Sequence, residues 1–171
     1  YSSAVEAGTY AASQRFASMV AMPVEALVSA ALPRLFRDGA GMREHPRLLP
    51  MLFLATLTYG MAAGACLWWS AGALVWVLGP AFESTIGVTK ILALYVPLYC
   101  MRILAAHVLL SRGAVRYRVM SEIIAIATMA LTMSQWVSRD GAMGAAKAIL
   151  ATELTLVLLF SFGIYLRRRF P

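Results

Sequence analysis

Long runs of apolar residues, separated by short segments that hold most of the charges, dominate the pattern of this sequence. Five runs are long enough to cross a bilayer, which takes about 20 mostly apolar residues per helix. They extend over residues 8–36, 48–78, 86–110, 119–137 and 144–166. No stretch alternates polar and apolar residues as the strands of a membrane barrel do. The pattern therefore predicts an all-α integral membrane protein, a bundle of about five transmembrane helices.

The composition points the same way. Of the 171 residues, 61% are hydrophobic and 13% are charged, whereas a soluble domain has about 25% charged residues. The net charge is +7, but the cations lie between apolar runs, which favours the ends of membrane spans over a surface for nucleic acid. Cys66 and Cys100 both lie inside apolar runs, so we expect two packed thiols rather than a disulfide or a zinc site.

The charges between the runs alternate from one connection to the next. The connection after the first run, the one after the third and the chain end carry ten cations, namely Arg34, Arg37, Arg43, Arg47, Arg112, Arg116, Arg118, Arg167, Arg168 and Arg169. The other two connections carry three, namely Lys90, Arg139 and Lys147. The positive-inside rule places the richer set in the cytoplasm, so the first span runs inward and the C-terminus is cytoplasmic.

The start of the chain has neither a basic leader region nor a cleavage site, and its first residue is Tyr1. A first span that enters from outside also requires an upstream span if the parent protein begins in the cytoplasm. We therefore expect residues 1–171 to be a fragment of a longer protein with at least one upstream span.

The first span carries an unusual polar stripe. At 100° per residue, one third of the helix circumference holds small, polar and charged side chains, namely Gly8, Ala11, Arg15, Ser18, Met22, Glu25 and Ser29. Arg15 and Glu25 are roughly 15 Å apart along the axis, too far for a direct salt bridge. The stripe predicts either a wall of a hydrated cavity, with Arg15 as an anion contact, or an Arg15 that reaches the outer headgroups while Glu25 pairs with a neighbouring helix.

Three further polar residues lie inside or near the ends of other spans. Arg102 stays charged in lipid and must face protein, water or an anion. Glu153, in the middle of the fifth run, is a candidate for ion coupling or, equally, for a helix-to-helix ion pair with Arg102. We expect His107 to be a hydrogen-bonded packing residue, and Glu122 to pair with Arg118 four residues earlier.

Several chemistries are missing from the sequence. It has no phosphate-binding loop, no dinucleotide fingerprint, no HExxH and no Cys/His ligand spacing. No serine lies in an elbow motif. We predict no enzyme, no catalytic residue, no metal and no cofactor.

The segment GTYAASQRFASMVAMPVEALVSAALPRLFR resembles the helix of polysaccharide flippases that opens with G-x-Y-x-x-A-x-R and closes with A-L-x-P-x-L/F. LVWVLGPAFESTIGVTKILAL resembles that family's loop of the form L-F-G-x-x-Y/F, with Leu78-Gly79 in place of Phe-Gly and Phe82 in place of Tyr. These flippases belong to the multidrug/oligosaccharidyl-lipid/polysaccharide exporter superfamily. The resemblance covers about residues 5–97. It implies helices eight to twelve of a roughly twelve-helix exporter, that is, part of the C-terminal lobe of a two-lobe protein whose upstream lobe is absent.

The resemblance implies a transporter of undecaprenyl-pyrophosphate-linked oligosaccharide in the bacterial inner membrane. Arg15 falls on the Arg of the family motif. We take Arg15, Ser18, Met22, Glu25 and Arg102 as candidate cavity residues, and Glu153 as the ion-coupling candidate. The implied partners are the lipid-linked oligosaccharide, membrane lipids and polysaccharide polymerase machinery, without nucleic acid.

Two other functions remain open at this stage. One is a cation-coupled multidrug extruder of the same superfamily, which would favour acidic over basic cavity residues. The other is a non-transporting membrane scaffold or assembly subunit, whose charges would all pair within the protein.

Overall fold

A computed structural model describes residues 4–39, 47–79, 83 and 85–169, and every regular element among them is an α-helix. The helices are α1 (Ala4–Gly39), α2 (Leu48–Ser70), α3 (Ala73–Leu78), α4 (Thr85–Ser111) and α5 (Val115–Arg169). Four of them, α1, α2, α4 and α5, are long and apolar enough to cross a membrane. The prediction of an all-α protein is confirmed, and the four helices fit a multi-pass membrane protein.

Helix α4 lies at the centre of the bundle and packs against α1, α2 and α5. Its buried side chains include Val88, Leu92, Val96 and Leu104, which form the core together with apolar residues of α1 and α2. A helix that is apolar nearly all round is the element expected in the middle of a bundle. The polar residues of this helix are therefore placed among protein neighbours.

Pairs of contacts give the relative directions of the helices. Thr89 contacts Ser13 and Tyr99 contacts Glu25, so α1 and α4 are parallel. Lys90 lies 5.6 Å from the centre of the Trp68 ring, near the end of α2, so α2 runs against α4. Consecutive long helices thus alternate in direction, as short connections between them require.

The second predicted span, 48–78, is divided in the structure. Helix α2 ends at Ser70, residues 71 and 72 form a turn, and the six residues of α3 follow. Gly72 has a low helix propensity. The 23 residues of α2 already extend over about 34 Å, enough to cross the apolar core of a bilayer.

The fourth and fifth predicted spans lie within the single element α5, which is folded back at Gly141. The backbone of Gly141 has φ 55° and ψ −126°, outside the helical region, with helix on both sides. Tyr117 donates a hydrogen bond to the carbonyl oxygen of Leu159 over 2.7 Å, and a β-carbon on Gly144 would collide with the Trp136 carbonyl oxygen. The two arms of α5 therefore lie side by side in opposite directions.

Helices α2 and α4 approach each other closely through two glycines one turn apart. A β-carbon on Gly60 would lie 2.9 Å from the Cα atom of Pro97, and one on Gly64 would lie 2.6 Å from the carbonyl oxygen of Ala93. Pro97 lacks the N–H that would bond to that carbonyl in a regular helix. Gly60 and Gly64 form the small-xxx-small spacing that allows membrane helices to pack closely.

The alternating directions sort the described cations between two ends of the bundle. The Gly141 end, where Glu6 of α1 faces the turn of α5, holds Lys90, Arg139 and Lys147. The opposite end, named here the Arg118 end, holds Arg34, Arg47, Arg112, Arg116 and Arg118. Of the other cations in the predicted charge bias, Arg43 and the side chains of Arg37 and residues 167–169 lie outside the described part.

Candidate functional site

The predicted polar stripe of α1 lies on the outside of the bundle. All seven of its residues, Gly8, Ala11, Arg15, Ser18, Met22, Glu25 and Ser29, are exposed. The side of α1 that packs into the bundle instead consists of Thr9, Ser13, Ala17, Ala21, Val24, Val28 and Leu35. Apart from Glu25, whose contact is described below, the charged face of this helix is thus turned away from the other described helices.

The buried side of α1 is made of small residues, and this fixes the rotation of the helix. Ala17 and Ala21 are fully buried, which lets the α1 backbone come close to its neighbours. Thr89 of α4 donates to the hydroxyl of Ser13, which in turn donates to the carbonyl oxygen of Thr9. These contacts satisfy the buried hydroxyls and hold the polar stripe outward.

Arg15 has no ion-pair partner among the described residues, and its side chain is exposed. Ser18, one turn further on, bonds only to the carbonyl oxygen of Gln14 within its own helix. Met22 is 59% exposed. An arginine on an exposed face well inside a span costs about 2.5–3.5 kcal/mol if it meets lipid. The face around Arg15 therefore needs water, an anion or further protein.

Glu25 is the point where the stripe connects to the bundle. The hydroxyl of Tyr99 on α4 donates a hydrogen bond to Glu25 Oε1. The guanidinium carbon of Arg102 lies 4.8 Å from the centre of the Tyr99 ring, in the geometry of a cation–π contact. Tyr99 therefore touches both an exposed carboxylate and a half-buried cation.

Arg102 and Glu153 form an ion pair between α4 and α5. The distance from Arg102 Nε to Glu153 Oε2 is 2.6 Å, and the side chains are 22% and 7% exposed. Of the two interpretations of Glu153 made from the sequence, the structure shows the ion pair with Arg102; ion coupling stays a prediction. Glu25, Tyr99, Arg102 and Glu153 thus form one continuous polar chain that joins α1, α4 and α5, named here the polar chain.

The structure separates the predicted site residues into two groups. Arg15, Ser18 and Met22 lie on the outer face of α1, whereas Arg102 and Glu153 lie between helices. Glu25 belongs to both. Tyr99, which joins the groups, is absent from the residues predicted from the sequence. The available signal was its position three residues before Arg102, which puts both side chains on one side of α4.

The remaining polar predictions concern local packing. His107 Nδ1 lies 2.7 Å from the carbonyl oxygen of Ile103, and Arg118 pairs with Glu122 at 2.9 Å, so both predictions are confirmed. The two cysteines are free; Cys100 is buried, as expected, but Cys66 is exposed rather than packed. Among the described residues, no group of three His, Cys, Asp or Glu side chains is placed to hold a metal ion.

Comparisons with protein-family models, with curated proteins and with solved structures returned no match.

Proposed function

We propose that this chain is part of a membrane flippase that moves undecaprenyl-pyrophosphate-linked oligosaccharide across the bacterial inner membrane by alternating access. The observation that carries the proposal is the exposed face of α1, where Arg15 lies in a span without an ion-pair partner among the described residues. Arg102, in contrast, is paired. A lone intramembrane arginine on an exposed polar face suits one wall of a hydrated path.

The chemistry of Arg15 fits a phosphate group. A guanidinium presents a planar fork of N–H donors that matches phosphate oxygens, and it stays charged in a medium of low dielectric. Ser18, on the same face, has a hydroxyl that donates to the carbonyl oxygen of Gln14 and would exchange that bond for one to a phosphate. The pyrophosphate and the glycan would pass along this face, while the apolar tail of the lipid stays in the bilayer.

We further propose that the bundle crosses the membrane five times, as in the C-terminal lobe of a two-lobe exporter. Each arm of α5 exceeds the roughly 20 residues needed for a span. The Arg118 end holds more of the described cations than the Gly141 end does. By the positive-inside rule, the Arg118 end would face the cytoplasm. The C-terminus would then also be cytoplasmic.

The polar chain supplies a route for ion coupling through Glu153. If Glu153 takes up a proton, it loses the charge that attracts Arg102, whose guanidinium also lies over the ring of Tyr99. Such a change would reach α1 through the hydrogen bond between Tyr99 and Glu25. Opening and closing of the path could thus follow the charge of Glu153.

A second candidate, a cation-coupled multidrug extruder, is favoured by one specific observation. Glu25 is an exposed carboxylate, and Met22, on the same face, is 59% exposed. A carboxylate beside a flexible methionine side chain suits an organic cation with a large hydrophobic part. The two candidates differ in the sign of the substrate, so Arg15 and Glu25 separate them.

The test of the proposal is export activity of Arg15 variants in the protein as the cell makes it. Arg15→Ala should abolish complementation of a strain that lacks oligosaccharide export, and Arg15→Lys should keep part of it, because the charge survives and the fork is lost. Arg139→Ala, which removes an exposed cation at the turn of α5, is the matched control and should complement fully.

Membrane abundance is measured beside export. Full export by a well-inserted Arg15→Ala protein would remove Arg15 from the path. Loss of drug resistance, and not of export, in Glu25→Gln would favour the extruder. Export and drug resistance unchanged in every variant would mean that this face carries no substrate, which favours a scaffold.

A further inference from the structure

A long apolar groove runs along the outside of the bundle between α2, α4 and α5. Its volume is about 640 Å³, inside the range of roughly 300–1,000 Å³ that ligand pockets occupy. Its walls are almost entirely hydrocarbon, and they include Leu57, Met61, Leu94, Leu98, Leu150 and Leu154. This groove lies on a different side of the molecule from the polar stripe of α1, because none of the residues of that stripe lines it.

The groove is somewhat shorter than the hydrocarbon thickness of one leaflet. It extends on α5 from Lys147 to Leu154 and on α4 from Leu94 to Met101, about 10 Å on each helix at roughly 1.5 Å per residue. The hydrocarbon of one leaflet is about 15 Å thick. A single alkyl chain that enters near Lys147 would therefore remain within the leaflet at the Gly141 end.

A pair of opposite charges stands at the mouth of the groove. Lys147 lines the groove, and its Nζ atom lies 2.5 Å from Asp140 Oδ2; the two side chains are 46% and 42% exposed. Trp136, which also lines the groove, has the amphipathic ring that favours the membrane interface. The apolar walls thus end at a cation, a carboxylate and an indole.

We propose that this groove binds one phospholipid of the leaflet at the Gly141 end, with a headgroup that carries both a phosphate and a primary ammonium. One acyl chain lies against the leucines, the phosphate contacts Lys147 and the ammonium contacts Asp140. Charge complementarity decides the headgroup. The neutral pair offers no net attraction to an anionic lipid, whereas it matches the two opposite charges of a zwitterion.

This site is independent of the proposed transport function, since it requires neither Arg15 nor the polar chain. It would hold α2, α4 and both arms of α5 together from outside, because all three helices contribute to its walls.

The test uses the chain reconstituted in vesicles that contain phosphatidylethanolamine with a photoreactive group in one acyl chain. Mass spectrometry then locates the cross-links. We expect labelling to concentrate on the peptides that contain Leu57, Leu98 and Leu154. The same probe on phosphatidylglycerol should label these peptides about threefold less, the size of effect that an exposed charge contact supplies.

Two matched pairs of variants refine the test. Ala151→Phe fills the groove and should reduce labelling of its walls to the level of other lipid-facing peptides. Ala130→Phe, at an exposed position of α5 outside the groove, should leave it unchanged. Asp140→Asn should remove the preference for phosphatidylethanolamine, because Lys147 is then an unpaired cation that attracts the anionic lipid, and Arg139→Gln should preserve the preference.

Several results would overturn the proposal. Labelling spread evenly over the groove and the Ala130 region would exclude a bound lipid, and an equal or greater yield with phosphatidylglycerol would exclude the headgroup. Displacement of the probe by small amounts of a polyprenyl phosphate would assign the groove to an isoprenoid chain. The comparison of lipids on the unaltered chain decides the matter even if Ala151→Phe fails to fold.

Discussion

The ion pairs Arg102–Glu153 and Arg118–Glu122 differ in burial, and the cost of losing one partner differs with it. The first pair joins α4 to α5 with Glu153 only 7% exposed, whereas Arg118 and Glu122 pair within one helix at 30% and 41% exposure. Loss of one partner from a buried pair leaves an uncompensated charge inside the protein. An exposed pair leaves its charge in contact with its surroundings.

We therefore predict that Glu153→Gln destabilises the protein by about 3 kcal/mol, and that Glu122→Gln changes its stability by less than about 1 kcal/mol. Unfolding in mixed micelles with increasing dodecyl sulfate measures both. The double variant Glu153→Gln with Arg102→Gln should recover part of the loss. Equal effects of Glu153→Gln and Glu122→Gln would contradict a structural role of the buried pair.

Gly141 allows a comparison of backbone strain with steric contact. Its φ of 55° is combined with a ψ of −126°, and a β-carbon there would lie 2.8 Å from Glu6 Oε1. Gly113 also has a positive φ, 69°, but a β-carbon on Gly113 would meet nothing within 4 Å. Both positions disfavour an L side chain, and only Gly141 adds a collision.

Gly141→Ala should accordingly lower stability more than Gly113→Ala, by an amount on the order of 1–3 kcal/mol. Gly141→Ala in a Glu6→Ala background, compared with Glu6→Ala alone, gives the backbone part of the cost without the contact to the carboxylate. Thermal unfolding of the five proteins provides the measurement. A Gly113→Ala protein that is the less stable of the two would show that the turn at Gly141 tolerates a side chain.

Among the helices, the contact between α2 and α4 depends on two glycines and a proline. Gly64 faces the carbonyl oxygen of Ala93, at the turn where Pro97 interrupts the hydrogen bonds of α4. Any larger side chain at Gly64 must push the two helices apart.

We predict that Gly64→Ala destabilises the bundle by about 1–3 kcal/mol, and that Gly72→Ala, with open space around it, has no such cost. Cross-linking between cysteines placed on α2 and α4 should fall in the first variant and persist in the second. An unchanged yield in Gly64→Ala would mean that the helices do not approach each other at this point.

The helices themselves were largely predictable, since a run of apolar residues with charged ends defines a helix without reference to its neighbours. The stripe of α1 also followed from the sequence, because helical periodicity alone places Arg15 and Glu25 on one face. The partner of Glu25 did not follow, since Tyr99 is 74 residues away and only the packing of α1 on α4 brings it near. The end of α2 at Ser70 was likewise missed, because residues 71–78 continue the apolar run.

For the molecule as a whole, the two ends of the bundle make the proposed topology testable. Val115 and Asp140 lie at opposite ends of the first arm of α5, and both residues are exposed. With Cys66 and Cys100 replaced by alanine, a membrane-impermeant thiol reagent should label a cysteine at position 140 from the periplasm and one at position 115 only after the membrane is opened. Labelling of both from one side would contradict the five-crossing proposal.

The proposed function depends above all on water along the stripe of α1, and exposure alone does not distinguish water from lipid. Met22 on the stripe is 59% exposed, while Leu131 and Leu158 on α5 are 64% and 62% exposed on apolar surface. These positions form a matched set for cysteine substitution, because they are equally uncovered by the described helices.

The reaction rate of single cysteines in the native membrane, with a charged thiol reagent that requires water, distinguishes the two surroundings. We predict fast reaction at positions 15, 18, 22, 25 and 29, and little or none at 131 and 158 or at the buried Ala17 and Val28. Rates at 18 and 22 as low as those at 131 and 158 would mean that α1 faces lipid or closed protein, and would contradict a hydrated path along this helix.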